Sequence, residues 1–209
     1  MDQRLKRILP RVQKPARYTG GEYNEIIKDK SGVELRMAFC FPDTYEIGMS
    51  NVGMRILYST INSMPGVWCE RVFAPWEDME REMRGAGIPL YALESGDPLA
   101  DFDVIGFSIG YEVAYTTVLN MLDLGGIPLR SADRPGLTPL VYAGGTSCCN
   151  PEPMADFLDL AVIGEGEEVN NEVLELLRQA KRGGWDKQRF LREAAKIDGV
   201  YVPSLYDIS

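Results

Sequence analysis

Two patterns of apolar and polar residues alternate along this chain of 209 residues. Short apolar runs typical of buried strands lie at residues 33–41, 68–74, 104–107, 140–143 and 158–163. The segments between and after them repeat apolar residues at helical spacing, first at Met54, Leu57, Tyr58 and Ile61 and later within 77–85, 113–122, 169–180 and 187–195. The pattern therefore predicts five strands that alternate with helices.

Alternating strands and helices favour an α/β fold with a parallel sheet and helices on both faces. Five strands with these connections fit a flavodoxin-like, or Rossmann-like, winding, in which right-handed crossovers bring every loop from a strand to the next helix to one rim. We expect that rim to collect residues 43–48, 108–110, 144–146 and 164–168. Open sheets of this type bind ligands along the same rim.

The two ends of the chain differ from the middle. Residues 1–32 contain few apolar residues and are basic, with Arg4, Lys6, Arg7, Arg11, Lys14 and Arg17, so we interpret them as an extension. A short helix before Pro10 and an irregular arm around residues 18–23 are predicted there, where they would either cover an edge, reach a partner or form a solvated tail. Residues 33–182 form the predicted domain, and 183–209 are a helix and an extended segment leading towards further sequence.

Composition and charge narrow the function classes. The chain has 45% apolar and 25% charged residues, as is usual for a globular protein, and a formal net charge of −9, which disfavours binding to nucleic acids or anionic membranes. No signal peptide or long apolar span is present, so we expect a cytoplasmic protein.

Histidine is absent, which removes imidazole bases, Ser-His and Cys-His pairs and imidazole metal ligands. The cysteines Cys40, Cys69, Cys148 and Cys149 do not form CxxC or CxxxCxxC, so we do not expect this chain to hold zinc or an iron-sulfur cluster by itself.

The rim loops are rich in glycine, which allows a ligand close to backbone N–H groups, and helix N-termini favour anionic groups. Each glycine alone can also be explained by turn geometry. A dinucleotide fingerprint fails because Gly164-x-Gly166 lacks its third glycine, and a nucleoside triphosphate loop fails because no GxxxxGK occurs. The aspartate of a phosphoreceiver is missing where Ser108 ends the third strand. A flavin site stays open, with Trp76 or Tyr111 available for stacking.

Three of these loops resemble the signature loops of cobalamin-binding domains. Asp43-x-Tyr45-x-x-Gly48, Ser108-x-Gly110 and Gly144-Gly145 correspond to Asp-x-His-x-x-Gly, Ser-x-Leu and Gly-Gly in that family. Longer strings at 17–24 (RYTGGEYN), 41–50 (FPDTYEIGMS), 93–99 (LESGDPL), 150–153 (NPEP) and 162–167 (VIGEGE) resemble more narrowly the N-terminal region of radical S-adenosylmethionine (SAM) proteins that carry a cobalamin-binding domain.

The resemblance implies a corrinoid bound along the rim of a cobalamin-binding-type domain. The residues expected to contact it are Asp43, Tyr45, Gly48, Met49, Ser108, Ile109, Gly110, Gly144, Gly145, Thr146, Gly164, Glu165 and Gly166. The family's axial histidine is replaced by Tyr45 and its second-loop leucine by Gly110, so the resemblance implies cobalamin without a protein histidine below the cobalt. A 4Fe-4S cluster and S-adenosylmethionine are expected only in a C-terminal radical SAM domain of the same polypeptide, and this fragment alone is not expected to be catalytic.

Two alternatives follow from the same residues. One is a vestigial domain that docks on the radical SAM barrel without binding a cofactor, and the other is a flavin or nucleotide binder. An open cleft at the rim would favour a ligand, whereas a rim filled by Tyr45 or Met49 would favour the vestigial domain.

Overall fold

A computed structural model describes residues 2–206 of the chain. Its centre is one six-stranded sheet formed by β1 (Leu35–Phe41), β2 (Val67–Phe73), β3 (Val104–Ser108), β4 (Leu140–Gly144), β5 (Leu160–Val162) and β6 (Val200–Tyr201), in the order β2-β1-β3-β4-β5-β6. The first five strands are parallel, with Met37 opposite Val104 in the register of β1 with β3, and β6 runs antiparallel to β5. The flavodoxin-like α/β fold is therefore confirmed, and a short sixth strand extends it.

Seven helices accompany the sheet in the described part of the chain. They are α1 (Gln3–Ile8), α2 (Tyr45–Ser50), α3 (Val52–Ser63), α4 (Glu77–Ala86), α5 (Tyr115–Leu124), α6 (Gly166–Gly183) and α7 (Lys187–Ala194). Residues of α1, α4 and α5 are buried in one apolar core, and residues of α3, α6 and α7 are buried in a second. Successive side chains of β1 alternate between the two, since Met37 and Phe39 belong to the second core and Ala38 and Cys40 to the first.

The segment after β1 contains two helices, whereas the sequence pattern predicts a loop and a single helix. α2 ends at Ser50, and the side chain of Asn51 then accepts a 2.8 Å hydrogen bond from the backbone N–H of Met54. This is an N-cap that satisfies a free donor in the first turn of α3. The break between the two helices sets the direction of α2 independently of α3.

Both ends of the chain pack against the sheet. Leu5, Ile8, Val12 and Tyr18 are buried in the first core, so the basic N-terminal segment contributes apolar residues as well as charge. At the other end, Phe190 of α7 is buried in the second core, and β6 extends the sheet. The domain limits 33–182 stay a prediction, and both flanking segments lie against that central unit. Among residues 2–206, no helix is long and apolar enough to cross a membrane.

Candidate functional site

A cleft of about 200 Å³ opens at the carboxyl ends of β3, β4 and β5. Six of the residues predicted from the sequence line it, namely Ser108, Gly144, Gly145, Gly164, Glu165 and Gly166. One wall is the start of α3, through Gly53 and Leu57. The three loops meet because parallel strands end at one edge of a sheet, as the winding requires.

Glycine is needed where the loops after β3 and β4 touch. Gly145 has a φ of +106°, a conformation that other residues rarely adopt, and a Cβ atom there would lie 2.6 Å from the carbonyl oxygen of Ile109. The Ile109 N–H donates to the Gly144 carbonyl at 2.8 Å, and the Thr146 hydroxyl donates to the Gly110 carbonyl at 2.6 Å. Ile109, Gly110 and Thr146 therefore hold two loops together and do not line the cleft.

The inner end of the cleft consists of residues that the sequence analysis did not select. Gly106 leaves space beside Met37, because a Cβ atom at this position would lie 2.4 Å from the Met37 Cε atom. The buried Tyr142 hydroxyl donates to Asn170 Oδ1 at 2.6 Å, and Asn170 Nδ2 donates to the Gly166 carbonyl at 2.6 Å. Burial raises the pKa of Tyr142, so this phenol stays a neutral donor. A tyrosine and a glycine inside predicted strands give no signal of such a role.

Asp43 links the loop after β1 to the loop after β3. Its Oδ2 atom accepts a 2.6 Å hydrogen bond from the Tyr111 hydroxyl, and its Oδ1 atom accepts one from the Thr44 N–H at 2.6 Å. The hydrogen bond to Asp43 raises the pKa of Tyr111. Asp43 thus acts as a connector between two rim loops, at the side of the cleft.

Tyr45 faces the N-terminal arm, by which we mean residues 12–26. Its hydroxyl donates to Glu22 Oε1 at 2.6 Å, and its ring packs edge-on against Phe73 with 5.6 Å between centroids. Burial, together with this hydrogen bond to Glu22, raises the pKa of Tyr45 to about 12. Tyr45, at the position where the resembled cobalamin-binding domains have a histidine, is therefore a neutral phenol already hydrogen bonded to another segment.

Gly48 and Met49 also lie outside the cleft. A Cβ atom on Gly48 would be 2.2 Å from the Phe73 ring, which shows how closely α2 approaches β2. The Met49 sulfur accepts a contact of 3.3 Å from Nη1 of Arg71. Because α2 packs against β2, Tyr45, Gly48 and Met49 of the first predicted loop lie outside the cleft that the other three loops line.

Ion pairs hold the arm against α2. Glu46 accepts hydrogen bonds from Lys14 Nζ at 3.0 Å and from Arg17 Nε at 2.9 Å, and Arg17 also lies over the Trp76 ring at 6.0 Å. The hydrogen bond from Arg17 is the main cause that lowers the pKa of Glu46 to about 2. Two positive charges of the N-terminal extension are thus paired with a carboxylate of the same chain.

Residues 2–206 contain no group of three or more His, Cys, Asp or Glu side chains placed to hold a metal ion. Cys40, Cys69 and Cys148 are buried, and burial raises the pKa of each thiol, that of Cys148 to about 11.

The cleft, at about 200 Å³, is smaller than the 300–1,000 Å³ typical of ligand pockets.

A comparison with protein families identifies the class of the chain. The family described as radical SAM proteins, N-terminal, matches residues 53–203. The chain belongs to this family. The domain is accordingly the N-terminal module of a radical SAM protein, a type of protein that has further domains. The matched region includes the loops that line the cleft and begins after the first rim loop. Comparisons with curated proteins and with solved structures gave no match.

Proposed function

We propose that this radical SAM N-terminal domain binds a corrinoid, with a planar part of its nucleotide tail in the cleft and the corrin ring across the rim. The observation that carries the proposal is the meeting of Ser108, Gly144-Gly145 and Gly164–Gly166 around one opening that reaches inward to Gly106. Glycine backbone lets a flat ring system approach closely, and the loop N–H groups supply donors to its polar edge.

The residues of this site have two different roles. Gly144, Gly145 and Gly164 provide surface without side chains, while Tyr142 and Asn170 form a fixed polar pair at the inner end. A bound corrinoid would supply cobalt chemistry that amino-acid side chains do not have. Tyr45 does not fit the role of a cobalt ligand, because its hydroxyl is held by Glu22 and its pKa is raised to about 12. We therefore propose binding without an axial ligand from this chain.

The titration of this chain with hydroxocobalamin, followed by absorption spectroscopy, tests the proposal. Gly144→Ile fills the cleft, and its Cβ atom is tolerated because the nearest atom, Val162 Cβ, lies at 3.6 Å. Gly85→Leu is the matched control, since Gly85 lies on the exposed side of α4 with no atom near its Cβ position. We expect saturable binding that Gly144→Ile weakens roughly tenfold, the equivalent of one lost contact of moderate strength, and that Gly85→Leu leaves unchanged.

The absence of saturable binding would reject the corrinoid proposal, and equal affinity in Gly144→Ile would show that the cleft is not the site. Circular dichroism and the unfolding midpoint of each variant separate lost binding from lost folding.

A second function, docking on the radical SAM domain of the same polypeptide, is favoured by a specific observation. Large apolar side chains are exposed in the segments that follow β1, β2 and β3, namely Ile47, Trp76, Tyr111 and Val113, the last with 81% of its surface accessible. Exposed apolar side chains that lie together on one edge can form a protein–protein interface. Trp76 and Tyr111 do not line the cleft, so they give no support to a stacked flavin there.

The docking proposal predicts that the separately expressed radical SAM domain associates with this chain. Val113→Glu and Trp76→Glu should weaken that association without changing the cleft, since neither residue lines it. Association that is unaffected by both changes would place the interface elsewhere. The two functions are compatible, because docking uses the exposed side of the rim.

A further inference from the structure

A second and larger cavity lies on the other side of α3. It is a groove of about 660 Å³, within the range of ligand pockets. Its lining comes from the N-terminal arm, α2, α3 and β2, and includes Met49, Val52, Arg55, Ile56, Tyr58 and Arg71. Val52 lines this groove and Gly53 lines the cleft, so the first turn of α3 separates the two.

Arg71, on β2, is the unusual residue of the groove, because it is 95% buried and yet incompletely hydrogen bonded. Its Nε atom donates to Glu94 Oε1 at 2.6 Å, while Glu94 Oε2 accepts the Arg71 backbone N–H at 2.7 Å. Within the described part of the chain, the Nη1 atom donates to the Met49 sulfur alone, at 3.3 Å, and a thioether is a weak acceptor. The Nη2 atom has no hydrogen-bond partner among residues 2–206.

Buried polar atoms nearly always have partners, so this guanidinium has the capacity to bind a further acceptor. An arginine presents its terminal N–H groups as a planar fork that matches a carboxylate or a phosphate. The fork is fixed in place, because the guanidinium lies 4.6 Å over the Tyr58 ring and the Tyr58 hydroxyl in turn accepts the Ile26 N–H at 2.7 Å. An acceptor that entered here would meet donors already oriented.

The charges and apolar surface of the groove indicate which kind of ligand would complement it. Two arginines, Arg55 and Arg71, line it, and no aspartate or glutamate does; Glu94, the ion-pair partner of Arg71, is not a lining residue. Val52 and Ile56 are large, exposed apolar residues of α3, and they line the groove together with the two arginines. The complementary molecule carries an oxyanion at one end and an apolar chain or ring at the other.

We propose that this groove binds an amphipathic anion, with its carboxylate or phosphate on Nη1 and Nη2 of Arg71 and its apolar part along Val52 and Ile56. Met49 lies between the fork and the open groove, and its flexible thioether side chain can move aside when a stronger acceptor arrives. The proposal does not depend on corrinoid binding, because the cleft and the groove share no lining residue.

The test titrates the whole chain with octanoate, octyl phosphate and octanol, by calorimetry and by the NMR signal of the Arg71 Nε–H group. Octanoate and octyl phosphate distinguish the two kinds of oxyanion, and octanol has the same apolar chain without charge. We expect at least one anion to saturate the protein and shift the Arg71 signal, with octanol roughly tenfold weaker or more, as the loss of charge-assisted hydrogen bonds implies.

Two variants probe the opposite ends of the groove. Arg71→Met combined with Glu94→Gln removes both members of the buried ion pair, so no lone charge is left inside, and should lower the affinity roughly tenfold. Ile56→Glu places a carboxylate on the exposed apolar side and should weaken binding without disturbing the buried pair. Arg192→Met, on the exposed face of α7, is the matched arginine control and should bind normally.

The proposal is overturned by any of three results. They are saturation by neither anion, affinity for octanol equal to that for the anions, and unchanged affinity in both groove variants. Failure of hydroxocobalamin to bind has no bearing on this outcome.

Discussion

The hydroxyl of Tyr45 donates a 2.6 Å hydrogen bond to Oε1 of Glu22, and this bond fastens the first rim loop to the N-terminal arm. The two residues are 23 positions apart, and residues 14–17 and 19–22 of the arm line one surface depression together with Tyr45 and Glu46 of α2. The side chain at the position where the resembled cobalamin-binding domains have a histidine thus has a structural partner in this chain. The arm is consequently a part of the rim, and its attachment can be measured.

Tyr45→Phe removes this hydrogen bond and keeps the edge-on contact with Phe73. We expect the free energy of unfolding to fall by about 1 kcal/mol, the usual net contribution of one hydrogen bond. Backbone N–H groups of the arm should exchange faster with solvent, while those of β3 and β4 are unchanged. Hydrogen exchange measured by mass spectrometry checks this, and uniform acceleration across the sheet would contradict it.

Glu46 makes the attachment of the arm dependent on pH. Its pKa is lowered to about 2 in the folded protein, mainly by the hydrogen bond from Arg17. A carboxyl group with a lowered folded pKa contributes stability that is complete above its unfolded pKa, near 4.5, and is lost as the pH falls towards 2. Because this side chain is 42% exposed, solvent screening limits the contribution at pH 7 to about 0.5 kcal/mol.

Glu46→Gln should therefore destabilise the protein slightly at pH 7, and the difference from the unaltered chain should narrow between pH 4.5 and pH 3. Urea unfolding at several pH values measures both. Glu112→Gln is the control, since Glu112 has no ion pair among the described residues. A difference that stays constant down to pH 3 would exclude Glu46 as the titrating group.

The same change, glycine to alanine, should have opposite effects at two positions. In Gly48→Ala the new methyl group would lie 2.2 Å from the Phe73 ring, so we expect a loss of about 2 kcal/mol of stability through overpacking. Gly85→Ala, in the exposed middle of α4 with no neighbour within 4 Å, should gain about 0.5–1 kcal/mol from helix propensity. Chemical denaturation of both variants measures the two signs, and a stable Gly48→Ala would mean that α2 can shift away from β2.

Asp159 connects the C-terminal helix to the sheet. Its buried carboxylate lies 2.7 Å from Nζ of Lys187 and 3.3 Å from Nη2 of Arg134, and it accepts the Val141 N–H at 2.7 Å. Asp159→Asn leaves two buried cations without their counter-charge, so we expect a loss of about 3 kcal/mol or more. Thermal or urea unfolding checks this against Asp198→Asn at an exposed position. Equal stability of the two variants would show that Lys187 and Arg134 are compensated elsewhere.

The strands were predictable because buried parallel strands appear in a sequence as nearly continuous apolar runs. Their alternation with helices predicted a flavodoxin-like α/β fold, and the structure confirms it. The pattern did not reveal β6, because two residues, Val200 and Tyr201, are too few for a periodic signal. Their place in the sheet is fixed by pairing with β5, a contact between segments separated in sequence.

The candidate site was predictable in part, because its loops follow parallel strands of the predicted sheet. Ser108, Gly144-Gly145 and Gly164–Gly166 follow three neighbouring strands, so their convergence is a consequence of the winding. Tyr45, Gly48 and Met49 also follow a strand, yet α2 carries them towards β2 and the arm. Arg71 was missed because a charged residue inside an apolar run gives no indication that it is buried or which acceptor it lacks.

By itself, the sequence determined the α/β class, the five parallel strands and the rim on which their loops meet, since apolar periodicity and crossover handedness are properties of consecutive residues. The tertiary structure alone decided which loops share a cleft and that the Tyr45 hydroxyl is hydrogen bonded to Glu22. It also decided that Arg71 lines a groove and has N–H donors without a strong acceptor. Those features arise from contacts between segments tens of residues apart, where packing and hydrogen bonding select one partner among many.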